Sequence, residues 1–359
     1  MFLMFSVPVC LAQFVPANFV FGDSLAEVGN NHYILTLSRS DFVPNGIDFG
    51  RPTGRFTNGR TIIDIIGQEF GFTDFTPPYY APTTTGNVVL RGVNYASGGG
   101  GILNFTGYVF GGRINLNGQL DNFANTRQDI ISNIGAPATL QLFSKSIFSV
   151  TIGSNDFINN YLSSDHERKL VSPEAFVDAM IYRYRIQLTR LYTLGARKIV
   201  LANVGPIGCI PYSRDMNPFA GDDCIAFPNQ LASLFNTRLK PLVRELNAKL
   251  KGSLFVYADV NRIVLDIIQN FRFYGFENPT SACCRAASIT IGGRFGGKVP
   301  CLPTNKVCPD RSKYVFWDAF HPSEAANMII ARRLLDGGST DIFPVNVRQL
   351  ARASLQIKA

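Results

Sequence analysis

Four short apolar runs, each ending on a turn-forming cluster or an acidic residue, constrain this chain more than any other feature. Asn18 to Phe21 stops at Gly22-Asp23-Ser24, Ile147 to Ile152 at Gly153-Ser154-Asn155-Asp156, Lys198 to Asn203 at Val204-Gly205-Pro206, and Leu254 to Ala258 at Asp259. Runs of this kind fit strands buried on both faces. Helical periodicity marks Thr61 to Phe70, Pro173 to Leu194, Pro228 to Leu250 and Ser323 to Leu335; the second of these has Pro173 in its first turn and Gly195 just past its end. Strands alternating with helices predict a parallel sheet covered on both faces, a three-layer α/β fold. Ligands bind such sheets beyond the carboxyl ends of the strands, so the polar clusters after the first two runs are where chemistry is expected.

No Pro/Ser-rich linker, charge block or repeat divides the chain, and residues 13–359 read as one domain. With 46% hydrophobic residues, 17% charged residues and 29 Phe, a large core can be buried. The net charge of +8 would suit acidic surroundings such as a pectin-like polysaccharide or an anionic membrane face. Lys and Arg are nevertheless scattered and no nucleic-acid motif accompanies them, so nucleic acid is not an expected partner. Beyond the N-terminus, no stretch approaches the ~18–20 continuous apolar residues of a membrane span.

Residues 1–12 form an apolar run ending Cys10-Leu11-Ala12, similar to the end of a secretory signal peptide, although short and without a basic start, as a truncated leader would be. The alternative is a disordered or buried N-terminal arm. If Cys10 leaves with a leader, the remaining cysteines are Cys209, Cys224, Cys283, Cys284, Cys301 and Cys308, an even set that suits disulfides in an exported protein. Zinc is the competing reading. There is no CxxC pair and no nearby His, and the vicinal Cys283 and Cys284 are poorly placed to bind one tetrahedral metal, so no metal site is expected. Cys209 with Cys224, flanking one loop, is the first pairing expected. Asn104-Phe105-Thr106 is a glycosylation sequon, usable if the chain is exported.

Ser24 follows the first run directly, where a strand end could hold its hydroxyl in a fixed turn, although Gly-Asp-Ser alone is also ordinary turn sequence. A serine nucleophile needs a base, and the chain has three histidines. His166 lies in a charged stretch and His32 beside Asn30 and Asn31, both of which read as solvated loops. His321 differs, because Asp318 precedes it by three residues in an otherwise aromatic and apolar segment. On a helical turn that spacing would set both on one side, the carboxylate taking the Nδ1 proton and leaving Nε2 to accept one from Ser24. The competing reading makes Asp318 a helix cap and His321 a core residue. Oxyanion donors could come from the run Gly98 to Gly101, whose backbone N–H groups are unobstructed by Cβ atoms, and from the Asn155 side chain.

In order, Phe19-Val20-Phe21-Gly22-Asp23-Ser24-Leu25-Ala26-Glu27-Val28-Gly29-Asn30-Asn31, Gly54-Arg55-Phe56-Thr57-Asn58-Gly59-Arg60, Asn94-Tyr95-Ala96-Ser97-Gly98-Gly99-Gly100-Gly101, Gly153-Ser154-Asn155-Asp156 and Tyr314-Val315-Phe316-Trp317-Asp318-Ala319-Phe320-His321-Pro322 resemble the blocks of the plant GDSL esterase/lipases, within the SGNH hydrolase superfamily. The resemblance runs from about Pro16 to the C-terminal helix and implies a flavodoxin-like three-layer α/β/α fold on a parallel sheet of about five strands. It implies Ser24 as nucleophile and first oxyanion donor, a glycine as second, with Gly101 preferred over Gly99, and Asn155 as third. Asp318 and His321 would complete a triad. Glu27 stands where many relatives carry Asp.

The resemblance implies a secreted carboxylic ester hydrolase, a monomer with no cofactor. No serine lies in a G-x-S-x-G elbow, so the α/β-hydrolase turn is absent. Aryl esters, acetylated wall polysaccharides, cutin-type polyesters and lipids all remain as substrates. An acyltransferase with the same triad, or a carbohydrate or lipid binder with a fossil site, are the alternatives.

Overall fold

The first apolar run becomes strand β1 (Asn18–Gly22), and β2 (Ile147–Thr151), β3 (Lys198–Ala202) and β4 (Leu254–Ala258) follow within a residue of the other three runs. The computed structural model describes residues 15–163 and 170–355; the apolar run 1–12 and His166 lie outside them. The four strands pair in parallel in the order β1-β2-β3-β4. A fifth, Ile342–Phe343, closes the far edge antiparallel to β4. The sheet is therefore mostly parallel; a two-residue edge strand is too short to leave a period in the sequence.

On its other side β1 is flanked by extended residues 93–97, where Val20 N–H donates to Val93 O at 3.0 Å and Tyr95 N–H to Val20 O at 2.7 Å, as a parallel neighbour. Counted second in chain order, this segment gives the flavodoxin-like order 2-1-3-4-5. The chain leaves β1 toward one edge and β2 toward the other, so a crevice opens between their carboxyl ends, where Ser24 and Asn155 follow.

Helices Leu116–Ile134, Ala136–Lys145, Pro173–Thr193 and Ala226–Lys249 cover one face; Ile62–Glu69, Val260–Gln269, Glu324–Asp336 and Val347–Arg352 cover the other. Helix Ile62–Glu69 starts where Thr61 and Asp64 exchange capping hydrogen bonds, and Ser323 caps Glu324–Asp336 by accepting from Ala326 N–H. Leu116–Ile134 escaped the sequence reading because Gly118 and four Asn dilute its propensity, leaving a thin apolar stripe of Leu116, Leu120, Phe123 and Ile130.

The two sheet faces differ in bulk. Strand register places Phe19, Phe148, Ile199 and Phe255 in one row and Phe21, Val150, Leu201 and Tyr257 in the next, against the first helix layer. Phe19 and Phe148 both contact the rings of Phe123 and Phe143 there. The opposite face carries Val20, Ser149, Val200 and Val256, then Gly22, Thr151, Ala202 and Ala258.

Cys209 pairs with Cys224, while the vicinal cysteines part, Cys283 to Cys308 and Cys284 to Cys301. Such bonds fit an oxidising, extracellular compartment. Among the described residues no helix is long and apolar enough to cross a membrane.

Candidate active site

Gly22 ends β1 under close restraint. A Cβ there would lie 2.5 Å from Thr151 O, so only glycine lets the neighbouring strand approach. The buried Gln119 amide grips both of its backbone groups, accepting from Gly22 N–H at 2.8 Å and donating to Gly22 O at 2.7 Å. Asp23 N–H then donates to Thr151 O at 3.0 Å, and the turn that follows brings Ser24 to the rim of the crevice. Gln119 lies in the helix missed from sequence, and no local signal marked it.

His321 meets Ser24 across 297 positions, with Nε2 2.8 Å from Ser24 Oγ. Nδ1 lies 2.8 Å from Asp318 Oδ1 and 3.0 Å from Oδ2. The pair does not sit on a helix, as the spacing of three suggested. Residues 317–320 form a bend, in which Asp318 Oδ1 accepts from Phe320 N–H and His321 N–H, both at 2.9 Å. The carboxylate thus shapes the turn that presents the imidazole, an Asx-type turn. With Nδ1–H donated to Asp318, Nε2 carries the free lone pair that faces the serine hydroxyl.

The second block gains a physical reading. The Phe56 ring lies 5.1 Å from the His321 ring, Thr57 Oγ1 donates to Pro322 O at 3.0 Å, and Asn58 Oδ1 accepts from Glu324 N–H at 2.9 Å. Arg55 and Asp64 form a buried two-pronged ion pair beneath them, at 2.7 and 2.8 Å. These residues brace the His321 ring and the chain just after it.

The first and third blocks lock together around the glycine run. Asn30 Nδ2 donates to Asn94 O and Ala96 O, Asn31 Nδ2 to Gly98 O, and Asn94 Nδ2 to Ala26 O. Asn30 and Asn31 are thus buried lattice groups rather than solvated ones, whereas His32 is exposed and bonded to Asp41. Buried Glu27 accepts from Asn31 N–H and Gly98 N–H, and burial pushes its carboxyl pKa up to about 8.

Those bonds decide which glycine is available. Gly101 N–H, the donor preferred from sequence, is spent on Asn115 Oδ1 at 2.7 Å, and Gly101 does not line the cleft. Gly98 and Gly100 N–H are likewise engaged, by Glu27 and by Ser97 O. Gly99, at φ +80°, meets no acceptor among the described residues and lines the cleft with Ser24 and Asn155. Ser24 N–H is equally uncommitted among the described residues. The Asn155 amide is aimed by two bonds, Nδ2 donating to Gly100 O at 3.0 Å and Oδ1 accepting from Asn159 Nδ2 at 2.6 Å, which leaves one amide proton for the cleft. Neighbouring Asp156 accepts from Ile102 N–H, Leu103 N–H and the Thr106 hydroxyl, and burial raises its carboxyl pKa to about 6.

Asp23 also lines the cleft. Oδ1 accepts from Leu25 N–H at 3.0 Å, while Oδ2 has no partner among the described residues; burial pushes its pKa up to about 7, against a lowering pull from His321.

A family profile described as GDSL-like Lipase/Acylhydrolase matches residues 19–334. The chain belongs to this family. A GDSL esterase/lipase of Arabidopsis thaliana is 60% identical over 98% of this chain and 96% of its own length. Another is 50% identical over 93% of this chain and 87% of its own length, and GDSL esterase/lipase 7 of the same plant is 45% identical over 94% and 92%. The matched stretch holds Ser24, Asn155, Asp318 and His321. Membership in this GDSL family sets the reaction class, carboxylic ester hydrolysis.

Proposed function

We propose that the chain is a secreted serine esterase that forms an acyl-enzyme on Ser24. The observation that carries the reading is the continuous hydrogen-bonded series Ser24 Oγ, His321 Nε2, His321 Nδ1 and Asp318 at the mouth of one crevice. Ser24 Oγ attacks the ester carbonyl carbon while its proton passes to Nε2; Asp318 holds the imidazole and stabilises the imidazolium. The tetrahedral oxyanion takes hydrogen bonds from Ser24 N–H, Gly99 N–H and the Asn155 amide, and each such donor is worth roughly 10²–10³ in rate. Collapse expels the alcohol, which receives the proton from Nε2. Water then gives a proton to Nε2, attacks the acyl carbon and releases the acid, and the proton returns to Ser24 Oγ.

All of these groups come from one chain, so a monomer suffices. Three disulfides support export, and Asn104 of the sequon is solvent-exposed, open to a glycan. Hydrolysis of p-nitrophenyl acetate by the wild type and by Ser24→Ala tests the assignment. The variant is expected to lose at least ~10⁴-fold in kcat; a Ser24→Ala protein that retains its rate would sink it.

A further inference from the structure

The crevice at Ser24 continues inward as a cavity of about 310 Å³ between the sheet and the second helix layer. Its floor is the small-residue face of the sheet, Ser149, Thr151, Val200, Ala202 and Ala258. Its roof is Ile63 and Ile66, Val264 and Ile267, and Ile330 and Leu334, one pair from each of three helices. The other face of the same strands packs aromatic rings around Phe123, whereas this cavity lies on the side onto which Ser24 opens.

The lining selects the occupant. Away from the triad, the oxyanion donors and the rim, the inner walls are mostly Val, Ile, Leu and Ala, with Ser149, Thr151 and Asn203 as the polar side chains among them, and a sugar or peptide there would bury hydroxyl or amide groups with few partners. An alkyl chain leaves nothing unpaired. An apolar cavity of about 150 Å³ holds a six-carbon benzene ring, so a space of about 310 Å³ has room for an acyl chain of about ten carbons. Exposed apolar side chains also flank the entrance, beside Ser38 and Arg39. Leu37 and Phe110 line it, and on the loops that carry them Leu35 is 95%, Leu37 82% and Tyr108 67% exposed.

We propose that this cavity is the acyl-chain site and that the substrates are esters of medium- to long-chain fatty acids, with Ala202 and Ala258 setting how much chain is admitted. This rests on the esterase reading above, with the acyl carbon at Ser24 and the chain running along the β2–β3 surface. Each methylene buried adds about three- to fourfold to binding.

The test compares kcat/KM for p-nitrophenyl acetate, octanoate and dodecanoate in the wild type, Ala202→Leu and Ala258→Leu, with phosphonate labelling of Ser24 to report an intact site. The wild type is expected to favour dodecanoate over acetate by more than about tenfold, and each variant to cut that ratio at least about tenfold. A wild type without that preference, or variants that label normally and keep the ratio, would overturn the proposal. Calorimetry of dodecanoate and butyrate with Ser24→Ala reads the cavity without the chemistry or the filled variants. Dodecanoate is expected to bind at least about tenfold tighter; equal binding overturns the cavity assignment. If the wild type hydrolyses none of the esters and Ser24 stays unlabelled while dodecanoate still binds, the esterase reading fails and the acyl site stands.

Discussion

The Trp317 indole N–H donates to Asn45 Oδ1 at 2.9 Å, tying the residue just before Asp318 to a loop 272 positions earlier. Trp317 is fully buried against Cys283, Cys284 and Cys301, so two disulfides hold the turn from the other side. Trp317→Phe keeps most of the packing but orphans the buried Asn45 oxygen, at a cost of about 1–3 kcal/mol. Thermal unfolding should show that loss, and kcat should fall more than KM changes as the Asp318 turn loosens. An unchanged melting temperature would mean that the tie contributes nothing.

Asp318→Asn separates shape from electrostatics. Asn can still accept the Phe320 and His321 N–H bonds that form the turn. Its amide would face Nδ1 with a donor, so the proton moves to Nε2 and the base is lost. A fall in kcat of roughly 10³–10⁴ is expected with little change in melting temperature. Steady-state kinetics giving less than a tenfold loss would remove Asp318 from the orienting role.

Asn155→Ala takes away an amide held ready by Asn159 and Gly100. The donor acts when the oxyanion forms, so kcat should drop by roughly 10²–10³ while KM stays near its wild-type value. Asn159→Ala only releases the aim of that amide and should cost less. Comparable losses in KM would instead place Asn155 in ground-state binding.

Stability should decline as pH rises from about 4 to 8. Burial lifts the carboxyl pKa of Asp23 from 3.8 to about 7, of Asp156 from 3.8 to about 6 and of Glu27 from 4.5 to about 8. A raised value means the folded chain keeps a proton that the unfolded chain gives up. The contribution is therefore complete below the unfolded pKa and lost as pH climbs through the folded one. Asp23→Asn keeps an oxygen for Leu25 N–H and cannot ionise, so it should be more stable than wild type at pH 8, by on the order of a few kcal/mol, and therefore melt higher there, and melt no higher at pH 4. Melting curves at the two pH values check this; a gain of equal size at both would assign the effect to something other than ionisation.

The sequence alone determined the strand and helix alternation, because each buried strand is a continuous apolar run and each such helix repeats its apolar face within a few residues. Ser24 and His321 could also be singled out, since few histidines are available and only one has a carboxylate three residues away in an apolar segment. Tertiary structure decided what depends on partners distant in the chain. It brought Nε2 of His321 to Ser24 over 297 positions, bound Gly101 N–H to Asn115 and so left Gly99, and made a bend of the Asp318 turn. It also set small residues of four separate strands side by side on one face, opening the cavity. Local pattern records which face of an element is buried; the partner that meets a given N–H, or the space left above a row of alanines, depends on how elements far apart in sequence pack.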